Sequence, residues 1–354
     1  MTDRILDIAI IGLGPAGSTL ARLLSPKYNV IAFDKKSEQD NSFKKPCGGL
    51  LAPDAQKCFA RFGMTLPIDV LVTPQIFSVK TIDLKRRYIR HYQRSYVNMD
   101  RHKFDMWLKS LIPSNVEIHD DVICKSITEH NGYYEIAIAE NHNLQIYKAR
   151  YVVGSDGANS IVRRSLVPDI KIHSYMAVQQ WFEDKHKEPF YSCIFDEELT
   201  DCYAWGLSKN EYFIFGGAFP EKDARKRFEA MKDKLKAFGF RLDEPVKTEA
   251  CKVLSPNHPL QFCLGKDRCF LIGEAAGFIS PSSLEGMSYA FESAWKLSKL
   301  FNSHKEITLK DYKKATLGIR IKLCTKLIKK PFILGAFLRR LIMRSGIGSL
   351  TMSK

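Results

Sequence analysis

The stretch Ile5-Leu6-Asp7-Ile8-Ala9-Ile10-Ile11-Gly12-Leu13-Gly14-Pro15-Ala16-Gly17 decides the fold of this chain. A short apolar run feeds straight into a glycine-rich loop, which suits a strand buried on both faces in a parallel sheet. Past the loop, Ala16, Leu20, Leu23 and Leu24 fall on one helical face, and Val30–Phe33 is a second apolar run. Strand, glycine turn, helix and strand in this order make a βαβ unit. In that setting Gly12 permits the tight turn, Gly14 lets the backbone approach a pyrophosphate, and Gly17 lets helix and strand pack closely. The helix start, entered through Pro15 and Ala16, offers free N–H groups and a partial positive charge to an anion. Asp34 ends the second strand, 22 residues after Gly12, where a carboxylate accepts hydrogen bonds from a ribose diol. Lys35 beside it is a further candidate contact. The loop predicts dinucleotide binding and does not by itself separate NAD from FAD.

Outward from this unit, residues 101–111 read as a helix capped by Asp100, with Phe104, Trp107, Leu108 and Leu111 on one face. Residues 151–153 and 269–272 read as short buried strands, the second followed by glycines and a helix around 288–300. Between 172 and 219, aromatic and β-branched runs (175–182, 190–195, 202–207 and Tyr212–Phe219) alternate with charged turns, the pattern of an antiparallel sheet. Residues 74–97 share that character, and 224–238 form an amphipathic helix with Phe228, Met231, Leu235 and Phe238 on one side. The expected architecture is α/β: a discontinuous Rossmann-type domain over 1–73, 98–171 and 264–302. An antiparallel-sheet substrate domain occupies 74–97 and 172–263, and basic helices occupy 303–354.

With 354 residues, 45% of them hydrophobic, the chain can bury a large core. Its nine cysteines are odd in number and include no CxxC pair, which argues against a disulfide framework and a zinc site. The histidines form no metal-binding or base–nucleophile pair, so no metal is expected. A reducing cytoplasm fits best. Asp3, Arg4 and Asp7 interrupt the apolar N-terminus, so it reads as a strand and not as a signal peptide, and no apolar run is long enough to cross a bilayer.

The net charge of +15 is uneven: residues 299–354 hold 14 lysines and arginines against two acids, a net +12. Leu317, Ile321, Cys324 and Ile328 share one helical face, expected to dock on the body. Leu334, Phe337, Leu338 and Leu341 share another, with Arg339, Arg340 and Arg344 largely opposite. A basic amphipathic helix suits an anionic membrane surface, which places the protein peripherally at the inner face of the membrane. The alternative is a helical cap on the substrate domain with solvated charges. Nucleic acid is not expected, because no binding motif accompanies the charge.

Three further segments carry a family resemblance. Arg101-His102-Lys103-Phe104-Asp105 resembles the R-x-x-F-D segment of the PHBH-like superfamily of FAD-dependent monooxygenases and geranylgeranyl reductases. Gly154-Ser155-Asp156-Gly157-Ala158-Asn159-Ser160, followed by Arg163, is similar to its G-x-D-G motif. Gly273-Glu274-Ala275-Ala276-Gly277, continuing to Pro281 and Glu285-Gly286, is similar to its G-D-A-A-G…P…G-x-G motif. Lys45-Pro46-Cys47-Gly48-Gly49 resembles the CGG segment of the geranylgeranyl-reductase branch, which lies near the flavin.

The resemblance implies FAD in an extended pose, covered by the sheet domain. It implies that Asp34 holds the adenosine ribose, that Arg101 faces the phosphate or ribityl region, and that Asp156 orders the cofactor-binding core. Gly48, Gly49 and Gly273 would line the cofactor, and Glu274 would bond the ribityl or pyrophosphate side. Gly286 and Met287 would present backbone N–H groups near flavin N1 and O2, where a helix N-terminus stabilises the reduced ring by roughly 0.3–1 kcal/mol. The chain departs from the pattern twice. Glu274 replaces the usual Asp, and Ser283-Leu284-Glu285-Gly286 lacks the first of the paired glycines, which predicts a different backbone path there.

Cys47 has two readings: a thiol beside the flavin serving as proton donor or redox relay, or a small buried hydrophobe in a glycine-rich loop. Tyr203-Ala204-Trp205-Gly206-Leu207 resembles the substrate-contacting Y-x-W-x-F-P segment of geranylgeranyl reductases, with Leu207 and Ser208 in place of Phe and Pro. The alternative is a strand with aromatics alternating onto one face. Lys44, Lys45 and Gln179-Gln180-Trp181 are weaker cavity candidates. The expected activity is an FAD-dependent reductase of C=C bonds in an isoprenoid or lipid-like substrate. Alternatives are a monooxygenase of a small aromatic or apolar substrate and a flavin-based redox sensor at the membrane. A single glycine loop leaves electrons to a transient NAD(P)H or a redox protein.

Overall fold

The computed structural model describes residues 4–39, 42–140, 143–186 and 189–352. The chain forms two compact units. The first comprises Met1–Lys44, His102–His173 and Leu254–Thr325, and the second Lys45–Arg101, Ser174–Val253 and Lys326–Lys354. These boundaries differ from the sequence-based ones. Residues 45–73 fall with the sheet unit, 254–263 with the nucleotide unit, and the tail divides between them.

The first unit is built on parallel strands in the order Cys269–Leu271, Asn143–Gly154, Ile5–Ile11, Val30–Phe33 and Val116–His119. Ile8, Ile10, Val153 and Phe270 pack with Leu20 and Ala21 of the helix Pro15–Leu23 and with Ala294 and Leu297 of the helix Met287–Ser303. Runs apolar at every position, as in Val30–Phe33 and Cys269–Leu271, suit strands covered on both faces. The strand expected at 151–153 is the buried end of the longer strand Asn143–Gly154. Its outer half leaves the parallel sheet and continues as a meander with Tyr133–Glu140 and Ile123–His130, both antiparallel. Those segments alternate polar and apolar residues with charged ends, a strand pattern too weak to stand out in the sequence.

The second unit holds an eight-stranded sheet in the order Lys247–Leu254, Ser174–Glu183, Tyr212–Phe219, Ala204–Lys209, Tyr191–Phe195, Ile76–Asp83, Tyr88–Asn98 and Leu50–Leu51. The expected antiparallel sheet is present and 74–97 joins it, although Tyr191–Phe195 pairs with Ile76–Asp83 in parallel. One face packs Val178, Phe182, Phe213, Phe215 and Phe219 against Phe228, Met231 and Leu235 of the helix Ala224–Lys236. Period-2 alternation then puts Gln179, Trp181, Tyr203, Trp205, Leu207 and Lys209 on the opposite face.

The tail helices Leu317–Leu334 and Ala336–Ser345 exist, but their expected faces are corrected. Leu317, Ile321 and Ile328 are exposed, while Ile319 and Leu323 are buried. In the last helix Arg339 and Met343 are buried and Phe337 and Leu341 are exposed. The reason is an ion pair: Arg339 Nε lies 3.2 Å from Asp83 Oδ2, and its Nη1 donates to Leu334 O at 2.7 Å. A buried guanidinium paired with a buried carboxylate outweighs the apolar periodicity in choosing the docked face.

Candidate functional site

Three motifs far apart in sequence meet in the first unit. A side chain on Gly17 would come within 1.9 Å of Gly12 O, and one on Gly12 within 2.9 Å of Asp156 Cα. Helix, loop and second motif are therefore in backbone contact. Ser155 Oγ lies 2.6 Å from Gly12 O and adds a hydrogen bond across that junction. Arg163, buried, donates from Nη1 to Ala275 O and from Nη2 to Ala158 O, both at 2.6 Å, which ties the second motif to the third. Burial draws its guanidinium pKa down.

Gly14 differs from its neighbours. A Cβ there would meet only Lys36 Nζ, at 3.6 Å, so close packing does not account for this glycine. The helix Pro15–Leu23 starts at Gly14 with no side-chain cap and no acid in its first turn. An uncapped, acid-free helix start facing open space is suited to an anion.

Asp34 is buried and its Oδ2 accepts no hydrogen bond among the described residues. Lys109 Nζ is 3.1 Å from that oxygen, but its hydrogen bonds go to Asp120 Oδ1 and Lys36 O, each at 2.7 Å. Lys36 in turn bonds Asp105 Oδ2 at 2.9 Å. The Asp34 carboxylate is thus held by charge with acceptor capacity to spare, as a ribose diol requires. Asp156 acts on the local backbone. Its Oδ2 accepts from Ile161 N at 2.6 Å and so caps the helix Ile161–Leu166. Burial raises its pKa, opposed by the hydrogen bonds it accepts from Ser160 and the local backbone. A buried carboxylate with acceptor capacity to spare at Asp34, an open glycine and a bare helix start fit a dinucleotide with ribose and pyrophosphate groups.

The remaining predicted cofactor residues are placed as follows. Glu274 Oε1 accepts from Leu254 N at 3.1 Å, so the longer side chain reaches the neighbouring backbone. Gly286 is the N-cap of the helix Met287–Ser303 and supplies no side-chain cap; Glu285 bonds Ser288 N at 2.7 Å instead. At the missing first glycine, Leu284 has a left-handed backbone with φ of 52°. That backbone region is one in which a leucine bears strain. Arg101 opens the helix Arg101–Ser110 and is half-buried.

The second unit carries the candidate substrate face. Trp205 lies flat over Gly216, where a Cβ would come within 2.6 Å of the indole, and its Nε1 donates to Gln179 Oε1 at 3.3 Å. Tyr203 meets Trp205 edge-on at 6.0 Å. Tyr203 is buried beside Tyr191, and desolvation pushes its hydroxyl pKa well up. The CGG segment runs across this face. A Cβ on Gly48 would lie 3.7 Å from Leu207 Cδ2 and 4.0 Å from Trp205 Nε1, and Cys251 Sγ lies 3.7 Å from Pro46 O. Cys47 is half-buried, and its Sγ accepts from Gly49 N at 3.4 Å. Trp181 Nε1 donates to Glu249 Oε2 at 2.8 Å, and Gln179 Nε2 reaches the same oxygen at 3.3 Å.

Lys209 joins this group without having been expected from the sequence. Its Nζ donates to Met99 O at 2.6 Å and Asn98 Oδ1 at 2.7 Å, and reaches Gly49 O at 3.4 Å. It ties the CGG segment to the end of the strand Tyr88–Asn98. Burial lowers its pKa to about 8, against the opposing charges of Cys47 and Asp100. The signal available in the sequence is the alternation 203, 205, 207, 209, which carries a lysine onto the face shared by the aromatics.

A discontinuous Rossmann-type unit with this phosphate loop, joined in one chain to an aromatic-faced sheet, defines an FAD-dependent oxidoreductase. The FAD binding domain family matches residues 128–322, and the chain belongs to that family. Protein CbrA of Escherichia coli O9:H4 (strain HS) is 52% identical over 349 residues, covering 98% of this chain and 95% of that protein. CbrA of Shigella sonnei (strain Ss046) is equally similar, with 99% of its length covered. Among solved structures, a geranylgeranyl bacteriochlorophyll reductase-like protein from Thermoplasma acidophilum superposes with a TM-score of 0.71 at 17% identity, over 97% of this chain and 88% of that one. A probable FAD-dependent monooxygenase from Pseudomonas aeruginosa gives 0.70 at 16% identity, over 97% of this chain and 100% of the other. At these identities the structural likeness establishes the fold, not the reaction.

Proposed function

We propose that the protein is an FAD-dependent reductase of C=C bonds in an isoprenoid or other lipid-like substrate, with electrons from a transient NAD(P)H or a redox protein. The observation that carries this reading is the CGG segment laid across Trp205 and Leu207 and pinned by Lys209. Bound FAD supplies the hydride or electron chemistry. On the protein side, the partly exposed Trp205 indole, backed by the buried Leu207, is suited to an apolar chain. Cys47 Sγ is the candidate proton donor to a substrate carbon. The Gly49 N–H already donates to that sulfur.

The test is anaerobic photoreduction followed by addition of a polyprenyl substrate, with flavin reoxidation followed by absorbance. The reading expects reoxidation by the polyprenyl compound and a slowing of about 10²-fold or more in Cys47→Ala at unchanged FAD content. Oxygen-coupled turnover of a small aromatic, with no response to polyprenyl compounds, would replace it with a monooxygenase.

A further inference from the structure

The last two helices present their apolar side outwards. In Ala336–Ser345, the buried positions are Arg339 and Met343, one turn apart. At 100° per residue the opposite side of the helix centres on Phe337 and Leu341, which are 69% and 49% exposed. Arg340 and Arg344, both exposed, flank that strip along one edge. The orientation is anchored and not incidental. Arg339 is paired with Asp83 and packs 4.5 Å from the Phe195 ring, while Arg90 Nε donates to Met343 O at 2.9 Å. On either side in sequence, Ile328 and Ile347 are 71% and 77% exposed, and Lys329 is exposed beside Ile328. The sequence contains no Asp or Glu after Asp311.

We infer that this surface, from Ile328 to Ile347, docks onto an anionic lipid membrane, with Phe337 and Leu341 entering the headgroup region and Arg340 and Arg344 meeting lipid phosphates. Charge complementarity selects the occupant. An apolar strip with cations along one edge and no acid in its helix fits a layer that is apolar inside and anionic at its surface. A polyanion such as nucleic acid would leave the strip exposed, and a second copy would set the same cations against one another. Attachment is peripheral, since no helix among the described residues is long and apolar enough to cross a membrane. The inference does not depend on which substrate is reduced.

The experiment is co-sedimentation of the purified flavoprotein with phosphatidylcholine vesicles, with and without phosphatidylglycerol. Binding is expected only with phosphatidylglycerol and is expected to weaken as salt rises. Arg340→Gln with Arg344→Gln, and separately Phe337→Ser with Leu341→Ser, should each lower the partition coefficient about tenfold at unchanged flavin content and circular dichroism. Equal binding to neutral vesicles, or none to anionic ones, overturns the proposal. So does a stable wild-type dimer in sedimentation that the Phe337→Ser, Leu341→Ser variant dissociates, which would make the strip an interface between copies.

Discussion

The phosphate-loop unit and the aromatic-faced unit use glycine for opposite ends. Gly17 lets two stretches of backbone touch, and the residues that need it lie within five positions in sequence. Gly216 clears space for the Trp205 ring, and the two are partners across neighbouring strands. The first kind of site is built from local contiguity, and the second from register. Contiguous sites tolerate changes elsewhere in the chain but not within the loop. Sites built from register depend on every strand that sets the pairing, and on Lys209, which joins the CGG segment to that sheet.

Substitutions can sharpen this contrast. The largest effect is expected from Gly17→Val: with Gly12 O only 1.9 Å from the new Cβ, strand and helix must separate. A loss on the order of 4 kcal/mol or more is expected in denaturant unfolding, together with loss of flavin.

Lys209 produces a smaller, pH-dependent effect. Below about pH 8 the native and unfolded chains both hold the Lys209 proton, and the native state bears the full cost of the buried charge. Between about 8 and 10.5 the unfolded chain holds more protons, so this residue makes stability rise with pH. The gain is roughly 3 kcal/mol across that window. Lys209→Met should remove this rise from the pH dependence of unfolding, and an unchanged profile would mean that the ammonium is not buried.

The smallest effect is expected at Leu284. Leu284→Gly relieves the left-handed strain but adds freedom to the unfolded chain, for a net gain of about 0.5–1 kcal/mol at unchanged FAD affinity.

The nucleotide unit is largely legible in the sequence because its determinants are local. Gly12, Gly14 and Gly17 announce a turn, and the apolar runs around them announce strands. The convergence of 154–160 and 273–277 on that loop is reachable only through family resemblance, since nothing local in Ser155 or Arg163 says what they touch. For Lys209 the alternation 203, 205, 207, 209 gives the face but not the role, which depends on Asn98 and Met99 lying across the sheet. The tail departs from its expected faces for a related reason. Apolar periodicity names a face, but the partner of Arg339 is Asp83, 256 residues earlier, and that pair decides which face turns inward.

If the 12–17 loop holds the phosphates of FAD, Gly14 is the position that shows it, because a side chain there meets almost nothing in the protein itself. Gly14→Val should fold with the melting temperature of the wild-type apoprotein yet bind FAD at least about 100-fold more weakly by equilibrium titration, because the new side chain takes the space the pyrophosphate needs. FAD binding at wild-type strength by a folded Gly14→Val protein would contradict the account.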